Sequence, residues 1–140
     1  MQLRDAWRPS PMPSRRVLVV DDNPGAAKVL ALTLSKFWGH DVRTAHAGTA
    51  AIEAAVRHRP ELMLVDIGLP DISGYEVAQQ LRAKPDFAEM LLVALTGYDD
   101  IEDRRRSEEA GFDVHLVKPA SVAVLQELFS HPKLTSGSSR

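Results

Sequence analysis

The 140-residue chain contains no cysteine and few aromatic residues, and its formal net charge is only -2. The absence of cysteine excludes disulfides and thiolate metal sites. A slightly acidic chain gives no electrostatic basis for nonspecific binding of nucleic acid. No apolar run reaches the length of a membrane span, and the Arg- and Pro-rich residues 1–16 lack the apolar stretch of a signal peptide. We therefore expect a cytoplasmic protein that contacts neither membranes nor nucleic acid.

The chain does contain a regular alternation of short apolar strands and helices. Between a flexible lead-in, residues 1–14, and a disordered tail, residues 131–140, it predicts one domain over residues 15–130. The predicted strands are Arg16–Val20, Asp41–Ala45, Glu61–Val65, Met90–Leu95 and Val114–Val117. The predicted helices run from Pro24 to Gly39, over Thr49–His58, from Ser73 past Leu81, over Asp99–Ala110 and over Ser121–Phe129. Such alternation is typical of parallel strands joined by right-handed crossovers.

The composition of the strands predicts their order in the sheet. The first, third and fourth strands are apolar on both faces, which is typical of central strands. The second strand carries Asp41 and Arg43, and the fifth carries His115, so we place these two at the sheet edges. The order 2-1-3-4-5 meets this requirement. It is the order of flavodoxin-like folds, which are three-layer α/β structures with a parallel five-stranded sheet.

Polar residues follow four of the predicted strands. Asp21 and Asp22 come after the first strand, Asp66 after the third, Thr96 after the fourth and Lys118 after the fifth. Parallel strands point their carboxyl ends in one direction, so we expect these residues to meet at one rim, where open α/β sheets bind ligands.

The residue types at this rim suit a magnesium-assisted transfer of a phosphoryl group onto a carboxylate. Clustered carboxylates repel one another, and a divalent cation relieves that repulsion. Oxygen ligands without His or Cys favour Mg²⁺, with Mn²⁺ as a second choice. Thr96 can donate a hydrogen bond to a phosphoryl oxygen, and Lys118 can balance the charge of another. Such catalysis depends on positioning and charge neutralisation.

Four segments around these residues resemble the receiver domains of two-component response regulators. They are Val19-Val20-Asp21-Asp22-Asn23, Val65-Asp66-Ile67-Gly68-Leu69-Pro70, Ala94-Leu95-Thr96-Gly97 and Leu116-Val117-Lys118-Pro119. The resemblance extends over residues 15–130. Any one segment is a weak signal, whereas the four together are specific.

The resemblance implies a role for each residue of the rim. Asp66 would accept a phosphoryl group from a histidine kinase or a histidine phosphotransfer protein. Asp22, Asp66 and the backbone carbonyl of Gly68 would bind Mg²⁺ directly, and Asp21 would bind it through water. Thr96 and Lys118 would contact the phosphoryl group, and the Lys118–Pro119 peptide would be cis, as it often is in the family. The protein would then be a regulator that assists its own phosphotransfer and slow dephosphorylation, and not an enzyme.

His115 departs from the family pattern. Receivers usually carry Tyr or Phe three residues before the lysine, as a rotating switch, so the resemblance does not extend to this mechanism. In having His at this position, the chain resembles receivers that are attached to hybrid sensor kinases. The other histidines, His40, His46, His58 and His131, are interpreted as surface residues.

The resemblance also implies an output face on the fourth helix, fifth strand and fifth helix. A downstream protein would bind there, around Ile101, His115 and Phe129. The charged helix over Asp99–Ala110 has few apolar anchors, so it could shift at low cost. Because only a short tail follows the last helix, we expect no DNA-binding output domain. We also expect the protein to be a monomer or a weak dimer.

Each motif also has a plain structural interpretation. Asp21 and Asp22 could cap the first helix, Thr96 could begin an ordinary turn, and Lys118 could be a solvated residue before a rigid turn. The joint placement at the ends of neighbouring strands favours the site.

Two other functions stay open from the sequence. One is a small aspartate-nucleophile phosphatase of the haloacid-dehalogenase kind. Those enzymes carry the nucleophile in an Asp-x-Asp motif after the first strand, whereas this chain has Asp21-Asp22-Asn23 there. The other is an interaction module that works without phosphorylation, although all five site residues are present.

Overall fold

The computed structural model describes residues 13–97 and 101–135, in which five parallel strands form one sheet in the order β2-β1-β3-β4-β5. The strands are β1 (Arg16–Val20), β2 (Asp41–Ala45), β3 (Leu62–Asp66), β4 (Leu91–Thr96) and β5 (Val114–Val117). The edge positions of β2 and β5 confirm the predicted flavodoxin-like order.

Helices connect the strands and cover both faces of the sheet. They are α1 (Pro24–Leu32), α2 (Gly48–His58), α3 (Gly74–Arg82), α4 (Ile101–Ala110), α5 (Val122–Leu128) and α6 (Pro132–Thr135). A π-helical turn, Thr33–Phe37, extends α1, and a short 3₁₀ turn, Pro85–Phe87, follows α3. The predicted start of α4 at Asp99 lies outside the described residues. Within the described ranges, no helix is both long and apolar enough to cross a membrane.

Two apolar cores sandwich the sheet, because successive side chains of a strand point to opposite faces. Leu18 and Met63 belong to the core formed with α2, α3 and α4, whereas Val19 and Leu64 belong to the core formed with α1 and α5. Every residue of β3 is buried. The strands are thus held from both sides, which fixes where their carboxyl ends lie.

Side-chain caps fix the starts of three helices at the carboxyl edge of the sheet. Asn23 Oδ1 accepts from the Ala26 N–H (3.1 Å), and Ser73 Oγ accepts from the Glu76 N–H (3.3 Å). Both caps were predicted. Ser121 caps α5 in the same way. These bonds satisfy amides that the first turn of a helix leaves without partners.

The segment after α5 is ordered as far as Thr135, which corrects the predicted disorder over residues 131–135. Leu134 is buried in the apolar core, and its carbonyl accepts a hydrogen bond from the Arg15 guanidinium. Lys133 Nζ lies 2.9 Å from a carboxylate oxygen of Asp113. The sequence pattern did not indicate that Leu134 is an apolar anchor, because most residues around it are polar. Residues 1–12 and 136–140 lie outside the described residues.

Two histidines predicted to be on the surface are buried. His40 accepts from the Arg15 N–H (3.0 Å) and stacks on Phe129 with ring centroids 4.2 Å apart. Burial lowers the pKa of His40, and the charge of Arg15 lowers it further. His58 is also buried, and its ring nitrogen lies 3.1 Å from the Asp41 carbonyl.

Candidate functional site

The ends of four neighbouring strands bring the predicted site residues to one edge of the sheet. Asp66 ends β3 and Thr96 ends β4, while Asp21 and Lys118 directly follow β1 and β5. The Lys118 N–H donates to the Thr96 carbonyl (2.8 Å), which keeps the chain after β5 in register with β4. The predicted convergence is therefore present in the structure.

Three carboxylates gather at this edge. One oxygen from each of Asp21, Asp22 and Asp66 lies within 4.8 Å of the others. Asp21 and Asp66 are buried, whereas Asp22 is exposed. Asp21 Oδ1 accepts from the Asn23 N–H (3.0 Å), so the turn that starts α1 also orients this acid.

The ammonium of Lys118 bridges two of the acids. Its Nζ lies 3.0 Å from Asp66 Oδ2 and 3.3 Å from Asp21 Oδ2. About a third of the Lys118 side chain is exposed, while both acid side chains are nearly covered. Lys118 is thus open to solvent on one side and paired on the other.

The two partners of this ion pair respond differently to burial. Burial raises the pKa of Asp66, and the charge of Asp21 adds to the rise, although hydrogen bonds from Lys118 and Gly68 oppose it. Burial alone would lower the pKa of Lys118, but the hydrogen bond and charge of Asp66, with the charge of Asp21, raise it. The ammonium therefore stays charged, while the ionised form of Asp66 is disfavoured without a further cation.

The donor set fits a hard divalent cation. Carboxylate oxygens are the ligands that Mg²⁺ prefers, and these acids hold more negative charge than one ammonium can balance. The Gly68 N–H donates to Asp66 Oδ1 (3.0 Å), which fixes the rotation of that carboxylate. The role implied for the Gly68 carbonyl stays a prediction.

Thr96 and the Lys118–Pro119 peptide complete the site. Thr96 is buried at the end of β4, the strand next to the one that ends in Asp66. The Lys118–Pro119 peptide is cis, as the resemblance implied.

The predicted output face is only partly accessible. Ile101 is 86% exposed, but Phe129 is 6% exposed and packs against His40 and Trp38, so Phe129 is not available to a partner. This corrects its assignment to the face. Val122, which is 58% exposed, is the apolar residue that α5 presents instead.

His115 on β5 connects the sheet to α4. It is half-buried, and its Nδ1 lies 2.9 Å from the hydroxyl of Ser107. Ser107 and Ala110 are the buried residues of α4. A polar contact thus replaces much of the apolar packing that anchors the other helices.

Two residues near the site were not predicted from the sequence. The His46 ring nitrogen Nδ1 lies 3.0 Å from the Asp21 carbonyl, and the Asp71 carboxylate accepts from the Gly48 and Thr49 N–H groups. Both contacts join segments more than 20 residues apart in the chain. Local sequence patterns carry no signal for such long-range contacts.

Comparison with known proteins supports this interpretation of the fold and identifies the family. Residues 17–130 match the response regulator receiver domain family. The probable transcriptional regulatory protein TcrX of Mycobacterium tuberculosis is 41% identical over 106 residues, which are 76% of this chain and 44% of the relative. The chain spans less than half the length of the curated relatives that it matches.

Two solved structures of kinase receivers are also similar. The signal receiver domain of a signal transduction histidine kinase from Syntrophus aciditrophicus has a TM-score of 0.78 and 29% identity, covering 91% of this chain and 94% of that one. The receiver domain of the sensor histidine kinase PA1611 from Pseudomonas aeruginosa has a TM-score of 0.75 and 30% identity, covering 84% and 96%. That structure has a magnesium ion coordinated in its active site cleft.

Proposed function

Because this chain belongs to the response regulator receiver domain family of two-component systems, we propose that Asp66 is its phosphoacceptor. The observation that carries the proposal is the contact of the Lys118 ammonium with Asp66 Oδ2 (3.0 Å) beside two further carboxylates. The domain would act as a phosphorylation-switched regulator and not as a metabolic enzyme.

In the proposed reaction, Asp66 is the nucleophile. A carboxylate oxygen of Asp66 forms a bond to phosphorus while the nitrogen–phosphorus bond of a phosphohistidine donor breaks, and the departing imidazole keeps the electron pair and takes up a proton. Asp66 suits this role because it ends the central strand β3 and lies beside a bridging cation. Asp22 lacks that burial.

Magnesium would be held by Asp22, Asp66 and the Gly68 carbonyl, with Asp21 bound through water. A bound Mg²⁺ would neutralise the excess carboxylate charge and let an anionic donor approach. The magnesium in the PA1611 receiver supports this assignment. Mn²⁺ would serve with the same oxygen ligands.

Lys118 and Thr96 would stabilise the phosphorylated state. Lys118 already lies against Asp66 Oδ2, so its charge would be next to the oxygens of the new phosphoryl group. Thr96 would donate its hydroxyl to another of these oxygens. A state that makes more contacts with the phosphoryl group gains population when the group is present.

The output of this switch would be a change at α4 and β5. Lys118 and Thr96 lie at the ends of β5 and β4, and His115 on β5 contacts Ser107 of α4. Ile101 and Val122 would then contribute apolar contacts to a downstream protein. The domain would act as a monomer or weak dimer in the cytoplasm, without binding nucleic acid itself.

The experiment is incubation with acetyl phosphate and Mg²⁺, followed by intact mass measurement. We expect wild type and the control Asp86→Asn, which changes an exposed acid outside the site, to gain one phosphoryl group. Asp66→Asn should gain none. A gain that survives Asp66→Asn rejects the proposal, and turnover of a phosphate monoester would favour a phosphatase. A phosphohistidine donor in place of acetyl phosphate tests the class of partner.

A further inference from the structure

The helix α2 takes its N-terminal cap from a distant loop. Its own N-cap residue, Ala47, has extended backbone but no side-chain acceptor. The two carboxylate oxygens of Asp71 fill that place, accepting from the N–H groups of Gly48 (2.7 Å) and Thr49 (2.9 Å). These bonds hold the pKa of Asp71 well below its usual range, so the carboxylate stays charged at neutral pH.

Close packing joins the same two segments. A Cβ on Gly48 would lie 3.0 Å from the Ile72 carbonyl oxygen and closer still to the Ile72 side chain. Only glycine at this position therefore lets the loop approach α2 so closely. One side of the loop is thus held against α2 by the hydrogen bonds to the Asp71 carboxylate and by the close packing of Ile72 on Gly48.

The other side of the loop is fixed against the acceptor strand. The Gly74 N–H donates to the Ile67 carbonyl (2.9 Å), and a Cβ on Gly74 would lie 2.8 Å from the Asp66 carbonyl oxygen. Gly68 lies between these two attachments and donates its N–H to Asp66 Oδ1.

We propose that Asp71 is a positioning residue, which docks the loop of residues 67–73 on α2 and so places Gly68 against Asp66. The inference rests on the proposed function, since it assigns Asp71 a role in cation binding and phosphoryl acceptance at that site. Asp71 acts here through the loop and not by touching the phosphoryl group. The two hydrogen bonds that Asp71 accepts therefore cap α2 and also fix the position of Gly68.

The test separates loop docking from helix capping by supplying a local cap. Asp71→Ala removes the cap and the docking together. The double variant Ala47→Ser/Asp71→Ala restores a cap from the residue whose extended backbone suits it, but it does not restore the docking. Ser121→Ala, which removes the cap of α5 and leaves residues 67–73 unchanged, is the matched control.

Three readouts are measured on each variant: the free energy of unfolding in urea, the Mg²⁺ affinity from the NMR shift of the Gly68 amide, and the rate of phosphoryl gain from acetyl phosphate. We expect Asp71→Ala to weaken Mg²⁺ binding about tenfold, the lower end of the effect of outer-shell partners. The double variant should recover its unfolding free energy but not its affinity or rate. Ser121→Ala should lose stability alone.

The outcomes distinguish this inference from the proposed function. Recovery of affinity and rate in the double variant, or no loss of either in Asp71→Ala, overturns the positioning role. If wild type gains no phosphoryl group while Asp71→Ala still loses Mg²⁺ affinity, the proposed function fails and the positioning of the cation site stands. Should Asp71→Ala not fold, Asp71→Asn keeps one acceptor oxygen, and we then expect a smaller loss of affinity, whereas an unchanged affinity overturns the role.

Discussion

Charged side chains gather at both ends of the parallel sheet, in opposite proportions. At the amino end, Asp113 accepts from Arg82 Nη2 (2.7 Å) and the Leu92 N–H (2.9 Å), and it pairs with Lys133 Nζ (2.9 Å). At the carboxyl end, Asp21 and Asp66 share the ammonium of Lys118, with a third carboxylate nearby. In this amino-end cluster around Asp113, one acid thus faces two cations, whereas in the carboxyl-end cluster three acids face one cation.

This difference separates a cluster that maintains the fold from one that binds a ligand. The amino-end cluster is saturated by its own partners, and Arg82 also donates to the carbonyls of Phe87, Met90 and Gly111. The carboxyl-end cluster keeps excess negative charge, which an external cation can relieve. Natural proteins tolerate such unfavourable arrangements mainly at functional sites. Charge balance therefore tells more about function here than the number of charged residues.

Arg82→Ala should produce the largest loss of stability. It removes the side-chain donor of three backbone carbonyls and one of the two cations paired with Asp113, and breaking a partly buried network of this kind costs about 2–4 kcal/mol. Urea unfolding measures this loss. The control Arg105→Ala, which removes only exposed ion pairs on α4, should cost about 0.5 kcal/mol or less. Equal losses for the two variants would break the comparison.

Lys118→Ala should destabilise the metal-free protein by about 1 kcal/mol, since the exposed side of this ion pair is screened by water. The remaining carboxylates would repel one another without their shared partner. Because Mg²⁺ can replace the lost charge, the deficit relative to wild type should shrink when the cation saturates the site. Unfolding in urea with and without Mg²⁺ measures it, and a deficit that is unchanged by Mg²⁺ would contradict the account.

Asp66→Asn should have a smaller, pH-dependent effect on the metal-free protein. The pKa of Asp66 is raised above 3.8 in the folded state, so the native state holds this proton more tightly than the unfolded chain does. The contribution to stability is therefore complete below the unfolded pKa and is lost as pH rises through the folded pKa. Asn has no such proton, so the stability of Asp66→Asn relative to wild type should grow over that interval. A relative stability that falls with rising pH would be the contrary result.

Lys133→Ala should have the smallest effect. Asp113 keeps Arg82 and the Leu92 N–H as partners, so the loss of this partly exposed ion pair should cost about 0.5 kcal/mol. Unlike the deficit of Lys118→Ala, this one should not respond to Mg²⁺, because the amino-end cluster has no excess negative charge. A Mg²⁺-dependent deficit would show that the two ends are not independent.

The sequence alone predicted the sheet order and the residues at its carboxyl edge. Apolar runs mark the central strands, and residues that follow parallel strands must share an edge, so Asp66 and Lys118 could be placed together without coordinates. The caps by Asn23 and Ser73 were also predictable, because each cap joins residues three positions apart.

Contacts between segments that lie far apart in the chain could not be predicted from the sequence. Asp71 resembles an ordinary turn residue after Pro70, and nothing near it in the chain indicates that it caps α2. His40 was placed on the surface and Phe129 on an output face, yet they stack on each other in the interior. Such contacts depend on how α1, α5 and β1 pack together, and local pattern does not encode that.

The most direct test of the account is the identity of the phosphorylated residue and its dependence on the cation. Wild type is incubated with acetyl phosphate, with and without Mg²⁺, and the acyl phosphate is trapped by borohydride reduction and located by peptide mass mapping. We predict modification at Asp66 that depends on Mg²⁺. Modification at another residue, or equal modification of Asp66 after the cation is removed by chelation, would contradict the account.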